Sequence, residues 1–296
     1  MTARIVLHGK QAENEALRQA VDAVRDEGFE VDVRVTWEAV DALRLAEEAV
    51  RLGFERVIAG GGDGTVNEVL AGLMSAGFDG TLGLLPLGTA NDFARSAGIA
   101  LEMAPALRFA LTSAGHAVDV GKVGARYFLN VATGGFGVDI TTQTDPRLKR
   151  ALGGAAYFLT GVAKFRSVEP SWAKVTVPDD SWEGELLVLG IGNGRQAGGG
   201  HELCPEAVLD DGLFDVVVLP NGPPAHEALG RLMSRGPDAF EDKAHRWRVP
   251  WVEVASTEVL TVNLDGEPEA ASKHRFELLP GALSLALPDD SPLLGS

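Results

Sequence analysis

Residues 57–70 read VIAGGGDGTVNEVL. A short apolar run, Val57 to Ala59, passes into four glycines within five positions and then into TVNEVLAGLMSAG, a segment with helical spacing. The order is strand, loop, helix. Glycine loses more backbone freedom on folding than any other residue, so this density needs a reason, and a ligand approaching the main chain supplies one. Without Cβ atoms, Gly60, Gly61, Gly62 and Gly64 let N–H groups come close to an anion. The following helix aims its positive end at the same place. The stretch reads as a phosphate cradle. Asp63 inside it would repel a phosphate, and a divalent cation held between them, usually Mg²⁺, removes the conflict. The plainer alternative is a tight turn closed by an Asx-type hydrogen bond from Asp63.

On either side of this loop the first ~120 residues alternate strand and helix signals, the pattern of a parallel sheet covered by helices. RIVLH reads as a strand, and Leu17, Ala20, Val21 and Val24 recur at helical spacing before Gly28. EVDVRVT alternates as a strand. Val40, Leu43, Ala46 and Val50 mark a second helix closed by Gly53, and Thr65 is placed to cap the third helix. TLGLLPLG is a fourth strand. From about Ala125 onwards strands dominate: RYFLNVAT, WAKVTV, GELLVLGIG, LFDVVVL, WVEVAS, EVLTVNL, RFELL and LSLAL, with one helix around Arg147 to Phe165. The spacing predicts a Rossmann-like α/β nucleotide-binding domain over residues 1–122 and a β-sandwich or barrel domain over 123–296, with a cleft between them. The boundary falls near Gly121 to Arg126.

The totals narrow the function classes. A formal charge of −16, from 42 acidic and 26 basic residues, argues against nucleic acid as a partner. No apolar run reaches the roughly 18 residues of a membrane span, and the N-terminal apolar run is too short for a signal peptide. A cytoplasmic protein is expected. The single Cys204 excludes an internal disulfide, and with His201 it forms no zinc-ligand pattern. Two basic clusters, RLKR at Arg147 to Arg150 and HRWR at His245 to Arg248 with Trp247 and Trp251 nearby, offer a docking edge for transient membrane contact. Solvated surface is the commoner role of such clusters.

Ligands of open parallel sheets sit beyond the carboxyl ends of the strands. Three polar features fall there: Thr36 after the second strand, the glycine loop after the third, and Thr89, Asn91 and Asp92 in LGTANDF after the fourth. There is no G-x-x-x-x-G-K-[ST], which excludes a Walker-type P-loop, and a formal G-x-G-x-x-A at Gly192 to Ala197 lacks a following helix. In NLDGEP, Asp265 and Gly266 suit a hairpin turn. Glu267 is unexplained by a turn, and facing the crevice it is a candidate base for a substrate hydroxyl. AVLDDGLFDV reads as a turn or as a small cation site in which Asp211 and neighbouring carbonyls supply oxygens.

VRVTWE, VIAGGGDGTVNEV, LPLGTANDFA, NVATGGFG, GIGNGRQAGGG, LCPEAVLDDGL and NLDGEP, in this order and over nearly the whole chain, resemble the YegS-type bacterial lipid kinases of the diacylglycerol kinase catalytic-domain family. GGDGT alone is shared with NAD kinases and phosphofructokinase relatives; the later motifs favour the lipid enzymes. The resemblance implies an α/β domain and a β-sandwich with ATP in the cleft, and a C-terminal segment returning to the first domain. It implies ATP contacts at Thr36, at Gly62, Asp63, Gly64, Thr65, Val66, Asn67 and Glu68, and at Thr89. It further implies a structural Mg²⁺ or Ca²⁺ on the carbonyls of Val208 and Leu213 and the carboxylate of Asp211, with Glu267 as proton acceptor. Asp92 matches a family carboxylate of less defined role. The implied reaction is γ-phosphoryl transfer from ATP to the hydroxyl of a lipid such as phosphatidylglycerol or diacylglycerol. The alternatives are a soluble or sphingoid acceptor, or a non-catalytic nucleotide-binding regulator. The oligomeric state stays open, a homodimer included.

Overall fold

The computed structural model describes residues 2–135, 171–196, 202–221 and 244–295. Strands β1 (Thr2–Leu7), β2 (Glu30–Val35), β3 (Arg56–Gly61) and β4 (Thr81–Pro86) pair in parallel in the order β2-β1-β3-β4. Successive strand residues face opposite sides, so each strand feeds two cores. Ile5, Ile58 and Leu85 pack under α1 (Glu15–Asp26) and α5 (Met103–Thr112), against Leu17, Val21, Leu107 and Leu111. Val6, Val57 and Leu84 pack on the other face under α2 (Asp41–Arg51) and α3 (Asp63–Ala76), against Ala46, Ala49, Leu70 and Leu73. The chain order reverses between β1 and β3, which opens a crevice at their carboxyl ends. A short helix α4 (Asp92–Ser96) follows β4.

The rest is built from β5 (Gly115–Val123), β6 (Arg126–Phe128), β7 (Val131–Gly135), β8 (Ser171–Val177), β9 (Asp180–Gly192), β10 (Phe214–Pro220), β11 (His245–Val249), β12 (Trp251–Leu264) and β13 (Glu267–Ala286). Two long strands make the sandwich. β9 pairs with β8 through residues 180–186 and with β7 through 188–192; β12 pairs with β8 through 253–256 and with β7 through 262–264. Each therefore passes from one layer to the other, and their apolar faces enclose Phe128, Phe214 and Phe276. Phe128 stacks on Phe214 at 5.7 Å and meets Phe276 edge-on at 6.2 Å, arrangements that aromatic quadrupoles favour. β13 then returns to the first half, where Ser284 and Leu285 pair in parallel with Thr81 and Leu82 of β4. Leu283, Leu285, Leu287 and Leu293 belong to the core that contains α3.

Several local expectations change. Thr65 does not cap α3, because the helix starts at Asp63 with Gly62 as N-cap, and Thr65 is a buried first-turn residue. Val40 lies outside α2 as its N-cap at φ +69°, and the buried stripe is Ala42, Ala46 and Ala49. WVEVAS and EVLTVNL form one strand, β12, with a register shift between Ala255 and Leu260, and RFELL and all of LSLAL but Leu287 lie in β13. RYFLNVAT is two strands, broken at Leu129 and Asn130 because their N–H groups turn to a carboxylate. The expected helix at 147–165, the Arg147 to Arg150 cluster, His201 and Ala197 lie outside the described residues.

Candidate active site

At the crevice, the turn after β1 is stitched to its neighbours. His8 N–H donates to Gly60 O at 2.8 Å, Thr36 N–H to Leu7 O at 2.9 Å, and Gly9 N–H to Thr36 Oγ1 at 3.0 Å. A Cβ on Gly9 would lie 2.5 Å from Thr36 O, so glycine permits this approach. Gln11 Nε2 donates to Leu87 O at 2.9 Å. The loop after β2 is fixed by Asp41, whose carboxylate accepts from Trp37 N–H at 2.8 Å and Glu38 N–H at 3.0 Å. Those N–H groups, and the Arg44 guanidinium, hold its carboxyl at about 2. Between these loops and α3 lies a cavity of about 480 Å³, lined by His8, Lys10, Thr36, Trp37, Thr65 and Glu68 among others. Trp37, at its mouth, is 95% exposed.

The glycines divide by task. A Cβ on Gly61 would fall 2.3 Å from Thr65 Oγ1, and one on Gly88 would fall 2.5 Å from the Gly62 Cα. These positions are small because the structure packs against them. Gly64 has nothing within 4 Å of where its Cβ would point and is exposed. Its face is open to a ligand. Gly61→Ala should cost about 1–3 kcal/mol of stability through the clash with Thr65. Gly64→Ala should be neutral or stabilising by up to about 1 kcal/mol, since alanine suits a helix better. An unchanged or higher melting temperature in Gly64→Ala, against a lowered one in Gly61→Ala, is the expected pair of measurements.

Asp63 has a structural task. Its carboxylate accepts from Asp92 N–H and Phe93 N–H, each at 3.2 Å, so it caps α4 from across the crevice. The turn before α4 is closed by Asn91, which sits at φ +51° and exchanges hydrogen bonds with Gly88 N–H and O. Thr89 is exposed on that turn. Val66 uses its N–H on Gly62 O at 3.1 Å and packs partly against the core.

The sandwich reaches this site through the β12–β13 turn. Asp265 and Gly266, at φ +49° and +103°, make the two-residue loop, and Glu267 follows, exposed. Burial pushes the Glu68 carboxyl up, and the negative charge of Glu267 adds to it. Asp265 does more than turn the chain. It accepts N–H bonds from Leu129 at 2.7 Å, Asn130 at 3.1 Å and Val131 at 2.9 Å, and from Asn67 Nδ2 at 3.4 Å. Asn67 Nδ2 also donates to Tyr127 O at 3.2 Å, so its buried amide joins α3 to the sandwich. Both Nδ2 hydrogens of Asn67 are thereby committed to protein oxygens. Burial raises the Asp265 carboxyl to about 6, against the opposing pull of the three N–H groups and Asn67.

Val208, Asp211 and Leu213 do not line the cavity. They lie beside buried Asp119, which accepts from Gly212 N–H at 2.7 Å and Gly281 N–H at 2.8 Å. Asp211 accepts from Leu213 N–H at 2.9 Å and pairs with Arg248. Burial raises the Asp119 carboxyl, with the charges of Asp211 and Asp210 adding to it. Surplus negative charge beside main-chain carbonyls is chemistry that fits a hard dication. Among the described residues no three His, Cys, Asp or Glu side chains converge on one point, so main-chain oxygens would have to complete such a site. On edge strand β11, Arg248 is committed to Asp211, Trp247 donates to Asp180 at 2.8 Å, and Trp251 lies under Arg275. His245 stacks on Trp247 at 5.8 Å, and Arg246 is exposed. Among the described residues no helix is long and apolar enough to cross a membrane.

His8, Lys10 and Asp41 were not singled out by their sequence context, although HGK ends the first strand where the crevice rule applies. The three-donor nest around Asp265 left no sequence signal beyond Asp-Gly itself.

Both halves match family models: the diacylglycerol kinase catalytic domain over residues 3–123, and the YegS C-terminal NAD kinase beta sandwich-like domain over 131–287. The chain belongs to the YegS-like lipid kinase family. It is 52% identical over 295 residues to a "probable lipid kinase YegS-like" of Pseudomonas syringae pv. syringae, covering 99% of this chain and 95% of the relative. A relative of the same description from Pseudomonas aeruginosa is 53% identical over 290 residues, covering 98% and 95%. A solved diacylglycerol kinase from Bacillus anthracis str. Sterne superposes with a TM-score of 0.80 over 97% of both chains at 24% identity, a likeness of fold. Membership makes the protein a kinase of this family, with an α/β catalytic half and a β-sandwich half.

Proposed function

We propose that the protein transfers the γ-phosphoryl group of ATP to a hydroxyl of a lipid such as phosphatidylglycerol or diacylglycerol. Glu267 takes the hydroxyl proton as the new O–P bond forms and the bond to the β-phosphate oxygen breaks, releasing ADP. The observation that supports this reading is the tie at 3.4 Å between Asp265, in the turn immediately before Glu267, and Asn67 on the helix that follows the glycine loop. Phosphoryl transfer needs positioning and charge stabilisation more than covalent chemistry, and this crevice offers both. Gly64 would present its open face to the phosphates, with Thr36 and Thr65 at the cavity wall. Mg²⁺ bound with the nucleotide would supply charge neutralisation on the phosphates. Asp63 is the nearest loop carboxylate, and Val208, Asp211 and Leu213 would hold a separate structural Mg²⁺ or Ca²⁺. An acidic protein of this kind would act from the cytoplasm on the membrane surface.

Lys10 is a cation on the cavity wall that suits a phosphate, where the other ionisable wall residues include Glu38 and Glu68. Lys10→Gln should raise KM for ATP about tenfold, the loss expected for one charge-assisted hydrogen bond. Steady-state kinetics at fixed lipid would measure it, and an unchanged KM would exclude Lys10 from ATP binding. The function itself is tested by incubating the protein with radiolabelled ATP and separate panels of lipids and soluble acceptors, NAD included. Label in a lipid supports the reading, and label confined to a soluble acceptor, or ATP binding with no product, overturns it.

A further inference from the structure

We infer that Asp265 is a positioning residue for phosphoryl transfer: its carboxylate ties the turn that carries Glu267 both to the sandwich main chain and to the helix behind the phosphate loop. The inference rests on the reading of Glu267 as the base. A hairpin turn of Asp-Gly type needs no buried carboxylate, because the backbone conformation alone closes it. Here the turn's first residue sends its side chain inward to three consecutive N–H groups, those of Leu129, Asn130 and Val131. β6 and β7 give up strand pairing at that point to supply them. Asn263 Oδ1 accepts from Gly266 N–H at 2.6 Å, which fixes the turn from its other side. Asn67 Nδ2 adds the link that crosses between the halves, on the residue preceding Glu68.

The geometry therefore chains four things in sequence: the glycine loop, Asn67, Asp265 and Glu267. Only Gly266 separates the anchored carboxylate from the base, so a loosened anchor moves the base relative to the phosphate loop. Misplacement of a reacting group by about 1 Å can cost about 100-fold in rate. Asp265 itself meets neither nucleotide nor acceptor in this arrangement, since its oxygens are occupied by the N–H groups. It acts through Glu267.

A double-mutant cycle separates this role from a general contribution to folding. Wild type, Asp265→Asn, Glu267→Gln and the double variant are compared with radiolabelled ATP and total bacterial lipid extract in mixed micelles. Asp265→Asn should lower kcat about 10- to 100-fold with KM for ATP within about threefold, because positioning and not ground-state binding is lost. In the Glu267→Gln background it should cost no further activity, since two residues that act as a unit are not additive. Multiplicative losses in the double variant, or a kcat within about threefold of wild type in Asp265→Asn, would overturn the inference. Near-normal turnover of Glu267→Gln alone would instead remove the base reading, a distinguishable failure. Hydrogen exchange supplies a second readout that needs no lipid. Asp265→Asn should speed exchange at Leu129 to Val131 and Asn263 to Glu267 while sparing residues 57–66, and unchanged exchange at the turn would count against it. If Asp265→Asn does not fold, Asn67→Ser enters the same cycle, where it too must lose its effect once Glu267 is Gln.

Discussion

Glu267→Gln is expected to lower kcat by about 10²- to 10⁴-fold while the ATP dissociation constant stays within about twofold. The substitution keeps the shape of the side chain and removes only its capacity to accept a proton. Glu267 is exposed at the start of β13 and makes its influence felt on Glu68 through charge, so no packing is lost with it. The proposed ATP contacts belong to the other half of the site, where Thr36, Thr65 and Lys10 line the cavity and Gly64 has an open face. Single-turnover transfer of label together with calorimetric titration of ATP would read the two quantities separately. Turnover near that of wild type would show that another group, or solvent, takes the proton.

The second large effect concerns pH. Asp265 has its carboxyl raised to about 6 in the folded protein, burial outweighing the N–H bonds it accepts, whereas an unfolded chain leaves it near 3.8. The folded state therefore holds this proton more tightly than the unfolded one. The stabilisation it gives is fully present below the unfolded value and is lost as pH rises through about 6. The difference corresponds to at most about 3 kcal/mol. Measured against Asp265→Asn, which cannot titrate, the wild-type unfolding free energy should gain up to that amount as pH falls from 7 to 4. A parallel pH dependence of the two proteins would show that the carboxyl is better served by Leu129, Asn130 and Val131 than its burial suggests.

Much of the architecture could be read from residue order because the physical signals were local. Alternation in EVDVRV, helical spacing in Leu17, Val21 and Val24, and glycine density after Val57 each state one element's conformation without reference to the rest. The cavity wall at Thr36, Thr65 and Glu68 was accessible for the same reason, since strand ends in a parallel sheet define an edge. What could not be read depended on distant partners. The packing of Thr65 against Gly61, and the N–H groups that Asp92 and Phe93 turn to Asp63, add structural tasks to these two residues that the loop sequence does not state. The break in RYFLNVAT had no local cause at all, because it is made by Asp265, more than a hundred residues later. Long strands such as β12 were divided at internal polar residues, since a strand that changes layers carries two different faces along its length.

β13 pairs with both β5 and β4, and Leu283 to Leu293 complete the core around α3. Synthesis from the amino end therefore exposes the first half as an unfinished sheet, with an open edge at β4 and an apolar hollow, until residues 283–293 have been made. A truncation before Leu283 would thus leave both halves incomplete, however far upstream the glycine loop lies.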